Sequence, residues 1–174
     1  MIDTERLIRK AAAYGIDAAP VVRKLDEYAA LLVEYNQKVN LTAITDAEGI
    51  EDRHFIDSLL LAARPEVCGR MVDVGTGAGF PGIVAKLFRP ELDLTLMEPT
   101  GKRVDFLKYA CSALGVEAEF AKERAEEAAR KQWRESFDVA TARAVARTAG
   151  AGRVLPALAE AGRRVHCHER QRRG

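Results

Sequence analysis

The sequence has no apolar run approaching the roughly 20 residues that a membrane-spanning helix requires. Its N-terminus carries Asp3, Glu5 and Arg6 where a secretory leader would be apolar. Cysteine is scarce. Cys68, Cys111 and Cys167 show neither paired nor metal-type spacing, which argues against a disulfide scaffold and fits free thiols in a reducing cytoplasm. No charge of one sign dominates, since the formal net charge is only +1. That balance conceals an asymmetry. Residues 161–174 hold Arg163, Arg164, Arg170, Arg172 and Arg173 against Glu169, a net of +4, which leaves −3 for the remainder. Only the tail has the charge of a nucleic-acid-binding arm. The body also lacks an obvious Ser/His/Asp or Cys/His constellation, so acyl-transfer chemistry finds no support.

What remains is a 174-residue chain, 48% hydrophobic, long enough for one domain with a substantial core. The first 65 residues read as helical. Val22, Leu25, Tyr28, Leu32, Tyr35 and Val39 recur at three- and four-residue steps, which predicts an amphipathic helix over 20–38. Asp46 is placed to cap a second helix that runs through Leu61 and stops before Pro65. From Met71 the pattern alternates, with strands expected over 70–74, 92–98, 116–121 and 137–142. Helices are expected over 81–88, 102–114 and 124–132, with Gly115 as a C-cap. Strand–helix alternation predicts an α/β fold with a doubly wound, Rossmann-like parallel sheet behind an N-terminal helical segment. Three segments follow from this reading: 1–65 helical, 66–147 an α/β core, and 148–174 an atypical basic tail.

Asp73 to Gly82 reads Asp-Val-Gly-Thr-Gly-Ala-Gly-Phe-Pro-Gly directly after Met71-Val72, a strand entering a glycine turn and then a helix. A pyrophosphate-binding G-x-G-x-x-G places Gly75 and Gly77 correctly but puts bulky Phe80 at its third position. An acid two residues before Gly75 suits a cationic ligand better than a phosphate. S-adenosylmethionine, with its ammonium and sulfonium groups, meets that description; the alternative is a structural turn with no ligand. Glu98 ends the second strand about twenty residues past the glycines, where a carboxylate can accept from ribose hydroxyls.

Six segments together resemble the RsmG (GidB) family of bacterial 16S rRNA guanine-N7 methyltransferases. They are Tyr35-Asn-Gln-Lys-Val-Asn-Leu-Thr42, Arg53-His-Phe-Ile-Asp-Ser58, Asp73 to Gly82, Gly101-Lys-Arg103, Arg124-Ala-Glu126 and Thr141-Ala-Arg-Ala-Val-Ala146. The resemblance covers residues 1 to about 147 and implies methyl transfer from S-adenosyl-L-methionine to N7 of a guanine in 16S rRNA of the small ribosomal subunit. It further implies that Gly75, Phe80, Ala125 and Glu126 line the cofactor and that Arg143 sits where cofactor and guanine meet. Asp73, Gly77 and Glu98 join this set from the reading of the turn. Arg143 has an alternative, a salt bridge with Asp138. Arg53 and His54 either contact RNA or belong to a cluster that docks the helical segment on the sheet. Lys102 and Arg103 either meet rRNA phosphates or are a solvated helix start. A monomer with no membrane partner and no metal is expected, since His166-Cys167-His168 lacks further ligands. The weaker alternatives are a non-catalytic RNA- or cofactor-binding module and a NAD(P)-dependent oxidoreductase.

After Arg147 the motifs stop. Read one base later, the codons for His166 to Arg170 permit Ile-Ala-Met-Lys-Gly, a strand the resemblance calls for at that place. The tail 148–174 thus reads as the product of a one-base frameshift near codon 148. The C-terminal strands would be missing, the fourth strand would be an exposed edge liable to aggregate, and both cofactor binding and transfer would be impaired. Stop codons in the shifted frame past codon 147 would rule the frameshift out.

Overall fold

The computed structural model describes residues 1–124, 127 and 136–143, together with the backbone of 165–168. The helical segment opens with α1 (Thr4–Ala12), whose first turn is capped by Asp3 accepting from the Arg6 N–H. Helix α2 (Val22–Asn36) buries Val22, Leu25, Tyr28, Ala29 and Leu32, the stripe anticipated from the spacing. Asp46 caps α3 (Ala47–Ile50) by accepting from Gly49 N at 2.7 Å. The rod then continues through a π-helical turn, Glu51–Ile56, into α4 (Asp57–Ala62). That turn was not anticipated, because apolar spacing does not distinguish one wide turn from a regular helix.

The α/β part follows as β1 (Arg70–Val74), α5 (Gly82–Phe88), β2 (Asp93–Met97), α6 (Gly101–Leu114), β3 (Glu119–Ala121), β4 (Val139–Arg143) and β5 (Val165–His168). Helix α6 ends on Gly115 at φ 64°, a left-handed cap that glycine adopts without strain. The sheet is parallel in the order β3-β2-β1-β4-β5. The helix expected over 124–132 falls largely outside the described residues.

One expectation is overturned. Strand four is not an edge, because β5 pairs with it in parallel, from Ala140↔Val165 to Arg143↔His168. A parallel crossover needs a dozen or more residues, and 144–164 supplies them. Residues 165–168 therefore take up the unpaired hydrogen-bonding groups on that side of β4, whatever the origin of their sequence.

The helical segment and the sheet share one apolar core, reaching from Leu7 and Leu25 through Phe55 and Leu59 to Ile83, Phe106 and Val139. Helix α4 packs on α5, and α2 packs on α6. The entry into the π turn is held by a charge. Glu51 is fully buried and accepts from Arg6 Nε at 2.6 Å, Arg6 Nη2 at 2.7 Å and the Asp3 N–H at 2.9 Å, with Lys10 Nζ 3.6 Å away. Burial pushes its pKa up, but the Arg6 and Asp3 hydrogen bonds and the nearby cations outweigh it and hold the group below the ordinary carboxylate value. A depressed pKa contributes stability above the unfolded value of 4.5 that is lost as pH falls through the folded one.

Removing Arg6 strands a buried carboxylate that Lys10 compensates only in part. Arg6→Ala should destabilise the fold at pH 7 and less so at pH 4, which paired denaturant melts at the two pH values will measure.

Candidate functional site

The site lies at the C-terminal ends of β1 and β4, the point where strand order reverses direction and where open α/β sheets place their ligands. Its scaffold is Asp73, fully buried at the end of β1. Its Oδ2 accepts from Thr76 Oγ1 at 2.5 Å and from Gly82 N at 2.8 Å, and its Oδ1 accepts from Thr141 Oγ1 at 3.2 Å. One carboxylate thus joins β1, the glycine turn, the start of α5 and β4. Burial pushes its pKa up to about 6, against the opposing pull of those three donors and of Arg143. Asp73 therefore shapes the turn from within, and both its oxygens are engaged by protein groups.

The glycines divide by role. Gly75 has φ 62°, and a Cβ built there would meet nothing within 4 Å among the described residues, so on that side this position faces open space. Gly77 shares the left-handed conformation at φ 61°. Gly82 has an ordinary φ but no room: a Cβ would fall 2.6 Å from Leu96 Cδ2 and 2.9 Å from Asp73 Oδ2. It is Gly82 that permits close helix–strand packing, the role a dinucleotide fingerprint would have given to position 80.

Phe80 instead points into the core, 1% exposed. It stacks with Tyr28 of α2 at 4.9 Å and 21°, and with His54 of the π turn at 4.4 Å and 9°. The Tyr28 hydroxyl donates to the carbonyl of Ala78, so α2 also grips the glycine turn directly. The Arg143 guanidinium carbon lies 5.0 Å from the Phe80 ring centroid, within cation–π range. Arg143 Nη1 donates to Arg53 O at 2.9 Å and meets His54 Nδ1 at 3.1 Å. The alternative partner, Asp138, is at the other end of β4, where it accepts from Arg70 N at 2.8 Å.

Glu98 is 2% exposed just beyond β2. Its Oε2 accepts from Gly77 N at 3.0 Å and its Oε1 from Thr100 N at 3.0 Å, with Arg103 Nη1 3.9 Å away. The acid at the strand tip thus stands beside the glycine turn, as its spacing implied. A pyrophosphate at this turn would find the Gly77 N–H already taken by a carboxylate and would face that negative charge.

Of the anticipated residues, the structure gathers Gly75, Gly77, Asp73, Glu98, Phe80, His54 and Arg143 at the strand ends, with Gly75 exposed and Phe80, Asp73, Glu98 and His54 buried behind it. His54 is inside, 5% exposed, stacked on Phe80 between the helical segment and the end of β4. Arg53 contributes its backbone carbonyl to Arg143 and leaves its side chain exposed; Lys102 is exposed at the start of α6. Ala125 and Glu126 lie outside the described residues, as do the side chains of His166, Cys167 and His168. Sequence reasoning missed Thr76, Thr141, Gly82 and Tyr28 as parts of the site. The first three stand inside quoted motifs, but only the fold shows that they converge on Asp73.

Two predictions follow from the scaffold. The Asp73 carboxyl carbon should titrate with a midpoint near pH 6 in a 13C-detected NMR series. Between the unfolded value of 3.8 and that midpoint the folded state holds the extra proton, so this group's contribution to stability falls as pH rises through the window. Gly82→Ala should lower stability by about 2 kcal/mol through overpacking, and Gly75→Ala by about 1 kcal/mol through its positive φ alone; chemical melts will rank them.

Comparison with known proteins identifies the family. The family model GidB, described as rRNA small subunit methyltransferase G, matches residues 21–167, past the point where the sequence motifs end. A protein of Moorella thermoacetica named ribosomal RNA small subunit methyltransferase G is 43% identical over 155 residues, covering 84% of this chain and 63% of its own length. A protein of the same name from Caldanaerobacter subterraneus is 44% identical over 147 residues, covering 82% of this chain and 62% of its own. The chain thus spans somewhat under two thirds of these relatives. Among solved structures, an S-adenosylmethionine-dependent methyltransferase of Thiobacillus denitrificans, in complex with S-adenosyl-L-homocysteine, shares the fold with a TM-score of 0.55 at 20% identity, covering 78% of this chain and 54% of its own. With a family match that takes in most of its length and the strand-end cleft, the chain belongs to the rRNA small subunit methyltransferase G (GidB) family.

Proposed function

We propose that this chain binds S-adenosyl-L-methionine at the glycine turn and transfers its methyl group to N7 of a guanine in 16S rRNA of the small ribosomal subunit, with both steps impaired by its atypical tail 148–174. The observation that carries the reading is the open space over Gly75, flanked by the Glu98 carboxylate and by Arg143 at the switch point of the sheet. A ligand there meets peptide backbone on one side and an acid on the other, which fits a cationic nucleoside with free ribose hydroxyls. Gly75 and Gly77 give its adenosine portion close backbone approach, and Glu98 accepts from the ribose.

The bound sulfonium supplies an activated methyl group. Guanine N7 carries a lone pair and no proton at neutral pH, so the chain needs no general base, and the missing triad is consistent with the chemistry. The protein's work is alignment and charge management. Arg143 is held beside the cleft by Phe80, the Arg53 carbonyl and His54, from where it serves the guanine O6 edge or the cofactor carboxylate; a donor on N7 itself would block attack. Lys102, exposed at the start of α6, supplies charge for rRNA phosphates, with Arg103 beside Glu98. Ala125 and Glu126 complete the proposed cofactor contacts. The setting is the bacterial cytoplasm, and the protein acts as a monomer.

Calorimetry should give saturable binding of S-adenosylhomocysteine, no binding of NAD, and a loss of about tenfold or more for Gly75→Ala as its methyl enters the cleft. Incubation with small subunits and labelled S-adenosylmethionine should place one methyl on a guanine N7 of 16S rRNA, located by mass spectrometry of nuclease fragments. Cofactor affinity without transfer would favour a non-catalytic binding module, and affinity for NAD alone would defeat the reading.

A further inference from the structure

Arg143 is held by two acceptors on one helical turn, and their chemistry determines the state of His54. An arginine side chain has five N–H donors and no acceptor. Its Nη1 lies 2.9 Å from Arg53 O and 3.1 Å from His54 Nδ1. Nη1 carries two hydrogens, one for each. With Arg143 donating, His54 Nδ1 accepts and bears no proton. The other ring nitrogen, Nε2, lies 3.1 Å from Thr42 Oγ1 and carries the hydrogen that the hydroxyl oxygen accepts. Thr42 Oγ1 also accepts from Ile44 N at 3.0 Å, so its place is fixed by the loop before α3. Nδ1 is also 3.2 Å from Arg53 O, the bond it would make in the other tautomer; donation by Arg143 selects against that tautomer, with the guanidinium nitrogen bridging the two acceptors.

We propose that His54 is a positioning residue for Arg143: neutral, protonated on Nε2, it uses Nδ1 with the Arg53 carbonyl to take both Nη1 hydrogens and so fixes where the guanidinium points. The ring is held by its stack on Phe80 and by Thr42, and its burial keeps water from competing for the bond. The chain of contacts runs Ile44 N–H, Thr42 hydroxyl, His54, Arg143, linking the helical segment to the end of β4. The catalytic consequence rests on the function proposed above; the tautomer and the anchoring do not.

The test therefore has two arms. In the long-range 1H–15N spectrum of the full chain, the His54 Nδ1 resonance should be that of an unprotonated ring nitrogen and Nε2 that of a protonated one. In Arg143→Gln this preference should weaken, because Nδ1–H can then donate to Arg53 O. A protonated Nδ1 in the parent chain, or a spectrum that ignores Arg143→Gln, overturns the proposal even if no activity is ever found. In the second arm, His54→Phe keeps a ring on Phe80 but removes the acceptor, and His54→Asn keeps an acceptor near the Nδ1 position. His54→Phe should lower kcat/KM for methyl transfer roughly a hundredfold, the scale of a misplaced catalytic group. His54→Asn should recover most of that loss, and adding His54→Phe to Arg143→Ala should cost nothing further. Additive losses, or equal losses for Phe and Asn, would make His54 merely structural. A parent chain that binds no S-adenosylhomocysteine would sink the proposed function and leave the spectroscopic arm intact.

Discussion

Everything at the strand ends depends on one buried carboxylate. Asp73 stands where β1 gives way to the glycine turn, and it takes hydrogen bonds from the turn, from the first residue of α5 and from β4. A buried donor left without its acceptor costs about 1–3 kcal/mol, so three donors sharing one residue make that residue hard to replace. Burying the charge is itself unfavourable, as its raised pKa shows. The arrangement trades stability for geometry: two strands, a loop and a helix start are referenced to a single point.

The second constraint is the helical segment. Without it, the glycine turn would be braced only from below. Phe80 reaches out of the turn to stack on Tyr28 and His54, and the Tyr28 hydroxyl holds the carbonyl of Ala78. The π turn brings both His54 and the Arg53 carbonyl to Arg143. The segment is in turn anchored at its start by Glu51, Arg6 and Lys10. The helices are therefore part of the site's wall, and a Rossmann-like sheet alone would not hold Arg143 in this pose.

Much of this was legible because local chemistry and tertiary structure agree. β1 falls at 70–74 as expected, since the apolar Met71, Val72 and Val74 must be buried in an interior strand of a parallel sheet. Asp46 and Gly115 announced helix ends because capping is a local hydrogen-bonding and backbone matter. β3 proved shorter, 119–121 against 116–121, because Val116 still belongs to the cap of α6, donating to Cys111 O. The π turn was invisible, being defined by hydrogen-bond register and not by apolar spacing. The same holds for the direction of Asp73. Its spacing to the glycines marks it as part of the proposed cofactor-binding turn, but only the packed fold shows that Thr141, distant in sequence, occupies its other oxygen. β5 was hidden for another reason: four residues with histidines at alternate positions carry little strand signal until β4 offers them a partner.

The exposed wall of the cleft is built from main chain. With glycine at 75 and 77, it offers no rotamers, so it cannot reshape itself around a larger or smaller guest as a side-chain-lined pocket does. Its contour is set by dihedral angles and, through Asp73 and Glu98, by the fold as a whole. On the proposed function, selectivity at that surface is a property of backbone rigidity. Variation among related chains that alters ligand preference would have to arise on the opposite bank, around Arg143 and the helices, where side chains do the shaping.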